Sequence, residues 1–133
     1  MIAATTWGCS SAPVATTVEW QGHALREVRS LADLPDSIQS RLGVGRHGVE
    51  GIADRGRPFN VTDVADPRLP MRRFLTAGND GDTWLVAFEQ GGRAHFIKVL
   101  HFSADDPTLR EHWVLPNRPR NLADVIRGIS KER

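Results

Sequence analysis

Two of the five histidines are the first candidates for metal chemistry in this chain. His101 and His112 lie on either side of Asp105-Asp106-Pro107-Thr108, a segment with the composition of a turn. A turn centred on this segment would place the two imidazoles opposite each other on antiparallel strands, with Cβ atoms about 5 Å apart. Asp82, opposite His101 on the other side, would be a third ligand. Cross-strand histidines are more often partly exposed edge residues, so we expect no metal site and no cofactor.

Motifs for covalent or nucleotide chemistry are weak. The run from Gly43 to Gly48 matches G-x-G-x-x-G, but it follows a predicted helix and no helical pattern comes after it. A dinucleotide site needs a strand before the glycines and a helix after them. No serine stands in a G-x-S-x-G setting. An enzyme is therefore neither indicated nor excluded, and a non-enzymatic domain is the preferred interpretation.

The 15 arginines and two lysines are interleaved with 16 acidic residues, which leaves a formal net charge of +1. A chain that coats nucleic acid would be expected to cluster its basic residues without acids between them. We therefore expect no nucleic-acid partner. Guanidinium groups also bind carboxylates through paired hydrogen bonds, so some of these arginines are candidates for contact with another protein.

Most of these candidates lie in residues 43–73, a stretch in which regular apolar spacing disappears. Structureless runs longer than about 12–15 residues inside a compact domain are usually functional or mobile. The expected partner-binding residues in this stretch are Arg46, His47, Arg55, Arg57, Phe59, Asn60, Asp63 and Arg68. The alternative is that Asp54, Asp63 and Asp66 neutralise the arginines within the loop. Arg72 is expected to pair with Glu89 across two strands.

The strands that position this stretch are predicted from turns and alternation. Hairpin turns centred on Asp80-Gly81 and Gly91-Gly92 delimit strands at about 72–78, 83–90 and 93–103, and a fourth follows at 109–115. This register places Trp84 opposite both Ala77 and Val99. Both sheet faces are then apolar, so both must be covered. A further hairpin is predicted between Val18 and Arg29.

Two helices complete the predicted fold. The first spans about 34–42, with Asp33 as its N-cap and Gly43 after its end. The second follows Asn121, and its apolar residues recur at helical spacing: Leu122, Val125, Ile126 and Ile129. The fold class is thus α+β, a single domain over 18–133. It has an antiparallel meander sheet of four to five strands, a short N-terminal helix and a C-terminal amphipathic helix.

Residues 1–17 carry no charge and are interpreted as a leader or tether. Gly8-Cys9 followed by small polar residues resembles the end of a bacterial lipoprotein signal, although the apolar piece is short and no basic residue precedes it. Lipidation of Cys9 would place the protein in the periplasm or at the membrane. With a free Cys9, we expect a cytoplasmic protein.

Two hypotheses on function follow. The preferred one is a bacterial protein-binding domain of the small inhibitor or toxin-immunity type, with the four tryptophans as potential anchors. The alternative is a small enzyme or ligand-binding domain with an arginine and histidine pocket under residues 43–73. A polar pocket with titratable groups would favour the second, whereas an exposed aromatic surface would favour the first.

Overall fold

The computed structural model describes residues 16–61, 66–92, 94–103 and 109–131. Cys9, Asp63 and the turn at 105–108 lie outside the described residues. Six strands and two helices follow one another in this order: β1 (Thr17–Trp20), β2 (His23–Val28), α1 (Asp36–Leu42), β3 (Arg72–Asn79), β4 (Thr83–Gln90), β5 (Phe96–Ser103), β6 (Leu109–Leu115) and α2 (Leu122–Lys131). A 3₁₀ turn at Leu31–Asp33 precedes α1.

The strands form one antiparallel sheet in the order β1-β2-β3-β4-β5-β6. The predicted α+β class and meander are therefore confirmed, but the predicted number of four to five strands is too low. The N-terminal hairpin joins the sheet because Val28 pairs with Ala77, so both of its strands are counted. Gln21 and Gly22 form its turn, both with positive φ.

The predicted register is wrong at both central hairpins. Trp84 faces Asn79 rather than Ala77, because the turn between them is longer than two residues. In that turn the Asp80 carboxylate accepts the backbone N–H groups of Asp82 and Thr83. On its other side Trp84 faces Phe102, three positions from the predicted Val99. An odd shift moves every β5 side chain to the opposite face of the sheet.

Gly91 and Gly92 explain this second shift. Their backbone N–H groups bind the carbonyls of Met71 and Val61, so they belong to a loop over residues 91–95 and not to a two-residue turn. Residues on both faces are nevertheless buried, as expected. The core between the sheet and α2 consists of the buried residues Trp20, Leu25, Leu75, Leu85, Ala87, Ile97, Val99, Leu115, Leu122, Val125 and Ile129. On the other face they are Leu31, Leu34, Ile38, Leu42, Ile52, Phe74, Ala77, Trp84, Val86, Phe88 and Phe102.

Both predicted helices form, and one cap differs. Asn121 accepts the N–H of Asp124 at the start of α2, and the buried Glu27 carboxylate accepts the N–H of Leu122. The first helix begins after Pro35, so Asp33 lies in the 3₁₀ turn and is not the N-cap. Gly43 ends it with φ +88°, and a Cβ there would collide with the carbonyl oxygen of Glu50. None of the described helices is long and apolar enough to cross a membrane.

The two edge strands meet at one end of the sheet. Trp20 on β1 packs edge-to-face against Trp113 on β6, with ring centroids 6.0 Å apart, and against His101 on β5 at 5.1 Å. In a flat sheet the two outer strands of six would be about 24 Å apart at the usual strand spacing. The sheet therefore curls strongly toward the face that α2 covers.

Candidate functional site

Residues 43–71 contain no helix or extended strand where the structure describes them, and polar side chains hold them in place. Arg72 donates to the carbonyls of Leu42, Glu50 and Gly51 at 2.7, 3.0 and 3.0 Å. Burial of its guanidinium lowers the pKa of Arg72. Arg72 therefore anchors the segment to the sheet and is not the predicted partner of Glu89.

Two residues predicted to contact a partner lie beneath the surface and support this segment. The buried Asn60 amide donates to the carbonyls of Asp66 and Leu69, and its oxygen accepts the N–H of Asp66. Phe59 is also buried, with the Arg73 guanidinium 4.5 Å from its ring centre. Their side chains shape the loop from below.

Three short backbone stretches run side by side in this segment. Gly48 pairs with Leu69 and Met71 through hydrogen bonds of 3.1 and 2.9 Å, while the N–H of Asn60 binds the carbonyl of Pro70 at 2.8 Å. Residues 48 and 60 therefore lie on opposite sides of Pro70, about 10 Å apart at the usual spacing of paired backbones. The exposed side chains next to these pairings form what we call the loop surface: Arg46, His47, Val49, Val61 and Arg68.

The loop surface combines apolar and basic side chains. Val49 is 72% exposed and Val61 50%, and these are two of the three exposed large apolar residues in the described part of the chain. Arg68 pairs with Asp66 at 2.9 Å, which lowers the pKa of that carboxyl group and raises that of Arg68. The sequence prediction included Arg46, His47 and Arg68 but missed both valines, because nothing distinguishes an exposed valine from a buried one in an aperiodic stretch.

Arg55 and Arg57 lie outside the loop surface. The Arg55 guanidinium donates to the carbonyls of Leu75 and Arg120. Leu75 is the extra residue of a bulge in β3, so it has no partner residue on β4. Arg57 is exposed, and its carbonyl accepts a hydrogen bond from Arg73.

Neutralisation of loop arginines by loop acids is seen in two places: Asp66 pairs with Arg68, and Glu50 lies 3.6 Å from Arg46. Asp54 behaves differently. Its carboxylate accepts the backbone N–H groups of Leu31 and Arg55 and the hydroxyl of Ser30. This acid therefore ties the segment to the 3₁₀ turn instead of balancing an arginine side chain.

Glu89 is a buried carboxylate, only 2% exposed, at the centre of a charged cluster. Arg73 binds it through two nitrogens at 2.9 Å, His95 Nε2 lies at 2.9 Å, and Arg118 reaches it at 3.4 Å. A buried charge is strongly unfavourable unless it is paired. Arg73 replaces the predicted Arg72 because the strands pair one position away from the predicted register.

Two shallow clefts of about 370 and about 310 Å³ adjoin this cluster. They share the segment from Arg118 to Arg120, which lines both of them. We call them together the basic cleft, after the cations that line it: Arg55, Arg118, Arg120, Arg127 and Lys131. The sequence predicts a pocket under residues 43–73. Of that stretch, only Arg55 and Gly56 are among the described residues that line the basic cleft.

The predicted histidine pair does not form. His101 faces Glu111 and His112 faces Leu100, one position from the predicted pairing, because the register shifts at the start of this strand pair. Neighbouring strand positions point to opposite faces, so the two imidazoles diverge. Leu85, not Asp82, lies opposite His101 on the other side. The described residues hold no group of three potential metal ligands.

No protein-family model, curated protein or solved structure matches this chain. The function is therefore inferred from the geometry of the described residues.

Proposed function

We propose that this domain binds another protein through the loop surface, as small bacterial inhibitors and toxin-immunity proteins do. The observation that carries the proposal is the exposure of Val49 and Val61 on a segment that hydrogen bonds from Arg72 and Asn60 attach to neighbouring backbone. Exposed apolar side chains rimmed by polar ones are typical of protein interaction sites. Arginine, here Arg46 and Arg68, is enriched in such interfaces.

Tryptophan anchors, which the sequence suggested, play no part in the proposal. Trp20 and Trp84 are buried in the two cores, Trp113 packs against Trp20, and Trp7 lies outside the described residues. A rigid frame limits the conformational entropy that is lost when a loop binds. The proposed contact surface is therefore a preformed set of short apolar and long basic side chains.

The test begins with proximity cross-linking in the native host to identify a partner, which is then purified. The affinity of this partner is measured by calorimetry for Val49→Asp/Val61→Asp and for the matched control Val114→Asp. Val114 is the third exposed large apolar residue and lies on β6. We expect the double variant to weaken binding by at least about tenfold, because each change places an unpaired charge in an apolar contact, and the control to leave affinity unchanged.

Melting temperatures should stay close to that of the wild-type protein for both variants, since all three valines are exposed. Equal affinity for the wild type and the double variant would contradict the proposal. A loss of affinity in Val114→Asp alone would place the interface on β6.

A second candidate is the small enzyme or ligand-binding domain. One observation favours it: Glu89 orients His95, whose side chain is 40% exposed, beside Arg118 and the clefts. A carboxylate accepts a hydrogen bond from the N–H of one ring nitrogen, which leaves the lone pair of the other nitrogen available to a substrate. Turnover of a small anionic substrate that His95→Gln abolishes would favour this function over binding.

A further inference from the structure

Positive charge is concentrated in the basic cleft. Among the residues that the structure describes, five cations line it, and Asp124 is the one carboxylate. The neighbouring Arg73 and Glu89 form a pair and add no net charge. The cleft therefore carries a formal charge of +4, whereas the whole chain carries +1.

The internal contacts of these cations leave hydrogen-bond donors facing solvent. Arg55 donates to two carbonyl groups, which are dipoles and do not cancel its charge. Asp124 is shared by Arg120 and Arg127, so one carboxylate serves two guanidinium groups. The side chains of Arg120 and Arg118 are still 88% and 56% exposed.

The shape of the cleft restricts what it can bind. Both halves share Arg118 and Arg120, so a ligand that occupies both must extend past these residues, and each half presents guanidinium groups. No aromatic residue in the described part of the chain lines either half. Single-stranded nucleic acids are usually held by base stacking on aromatic side chains, so this lining does not favour them.

We propose that the basic cleft binds an extended acidic polypeptide segment, with a carboxylate in each half. The planar guanidinium fork matches a carboxylate through two parallel hydrogen bonds, which a neutral amide cannot reproduce. The cleft shares no residue with the loop surface. This proposal is therefore independent of the proposed function, and either can fail alone.

Fluorescence anisotropy tests the proposal with the full chain and three fluorescein-labelled probes. The probes are a 12-residue peptide of alternating Glu and Gly, the same peptide with Gln in place of Glu, and a 12-nucleotide oligothymidine. We expect the Glu peptide to bind most tightly and its affinity to fall with added salt, since exposed charges are screened. Equal affinity for the Gln peptide, or tighter binding of the oligonucleotide, would overturn the proposal.

A pair of double variants locates the binding. Arg120→Gln/Lys131→Gln removes two cleft charges, and the control Arg26→Gln/Arg41→Gln removes two exposed charges elsewhere. We expect the cleft variant to lose about tenfold in affinity for the Glu peptide, the equivalent of a modest loss at each charge, and the control to lose less than about twofold. Similar losses in both variants would show that net charge alone drives binding, which would overturn the assignment to the cleft.

Discussion

The two faces of the sheet are covered in different ways. On one face α2 buries an apolar stripe that includes Val125 and Ile129. On the other face α1 covers part of the core, and the described parts of residues 43–71 add to the cover with the buried side chains of Ile52 and Phe59. Bonds from Arg72, Asn60 and Asp54 to backbone groups also hold this segment. The first cover is a regular apolar helix face, whereas the second combines a few apolar side chains with hydrogen bonds to carbonyl and amide groups.

This difference indicates where a binding surface can form. A helix that covers a sheet turns its apolar side chains inward, as α2 does. An irregular segment held by polar anchors can turn apolar side chains outward without losing its cover, as it does at Val49 and Val61. The aperiodic face is therefore the one that combines a fixed backbone with exposed apolar contacts.

The largest expected effect tests the helix-covered face with two chemically identical changes. Ile129 is fully buried, whereas Ile126 is only partly buried against the same core. Ile129→Ala should lower the free energy of unfolding by about 2–5 kcal/mol, as is usual for truncation in a core. Ile126→Ala should cost clearly less. Urea denaturation measures both, and equal losses would contradict the orientation of α2.

A smaller effect is expected on the aperiodic face. Arg72→Met keeps an apolar side chain of similar length but removes the donors for the carbonyls of Leu42, Glu50 and Gly51. Each buried acceptor left unsatisfied costs about 1–3 kcal/mol, and part of this is recovered where water enters. We expect a total loss of about 2–3 kcal/mol and faster amide exchange over residues 43–53.

Arg57→Met is the matched control for this experiment, because Arg57 is exposed. It should change neither the stability nor the exchange rates. An Arg72→Met protein that keeps wild-type exchange rates over 43–53 would show that apolar packing alone holds the segment.

The smallest expected effect is a pH dependence of the stability of the helix-covered face, through His101. Burial lowers the pKa of His101 below its ordinary value of 6.5, while Glu111 partly opposes the shift and Arg110 and His23 add to it. Because the folded state disfavours the protonated imidazole, its contribution to stability is complete above pH 6.5 and is lost as the pH falls through the lowered pKa. Unfolding measured at pH 7.5 and at pH 5.0 should reveal this loss.

His101→Phe keeps an aromatic ring beside Trp20 but cannot titrate. We expect it to show a smaller drop in stability between the two pH values than the wild type. His112→Phe, at an exposed position of the neighbouring strand, should retain the wild-type drop. An unchanged drop in His101→Phe would mean that other groups control this pH range.

The parts of the fold with a repeating pattern were predictable. The spacing of Leu122, Val125 and Ile129 predicted α2, and alternation with glycine turns predicted the meander. Registers were not predictable, because they depend on loop length and on bulges. Gly91 and Gly92 resemble a two-residue turn in sequence but bind Met71 and Val61 in the folded chain.

The same limit applies to the candidate sites. Arg46, His47 and Arg68 lie within one irregular stretch, and their exposure could be expected from the sequence, whereas their role in binding stays a prediction. The basic cleft was not predictable, because it joins Arg55 to Arg118 and Arg120 across the sheet. Its geometry requires the bulge at Leu75, whose carbonyl holds Arg55, and no local pattern in the sequence indicates that bulge.

The contact between Trp20 and Trp113 has a consequence for how the chain folds. It joins residues 93 positions apart, and the hydrogen bond from Leu122 to Glu27 spans 95. During synthesis the first hairpin emerges with Trp20 uncovered and must wait for β6 and α2 to complete its core. Contacts between such distant residues slow folding, since a long loop must close before they form. Closure of the curled sheet is therefore expected as a late step, after the local pairing of β3, β4 and β5.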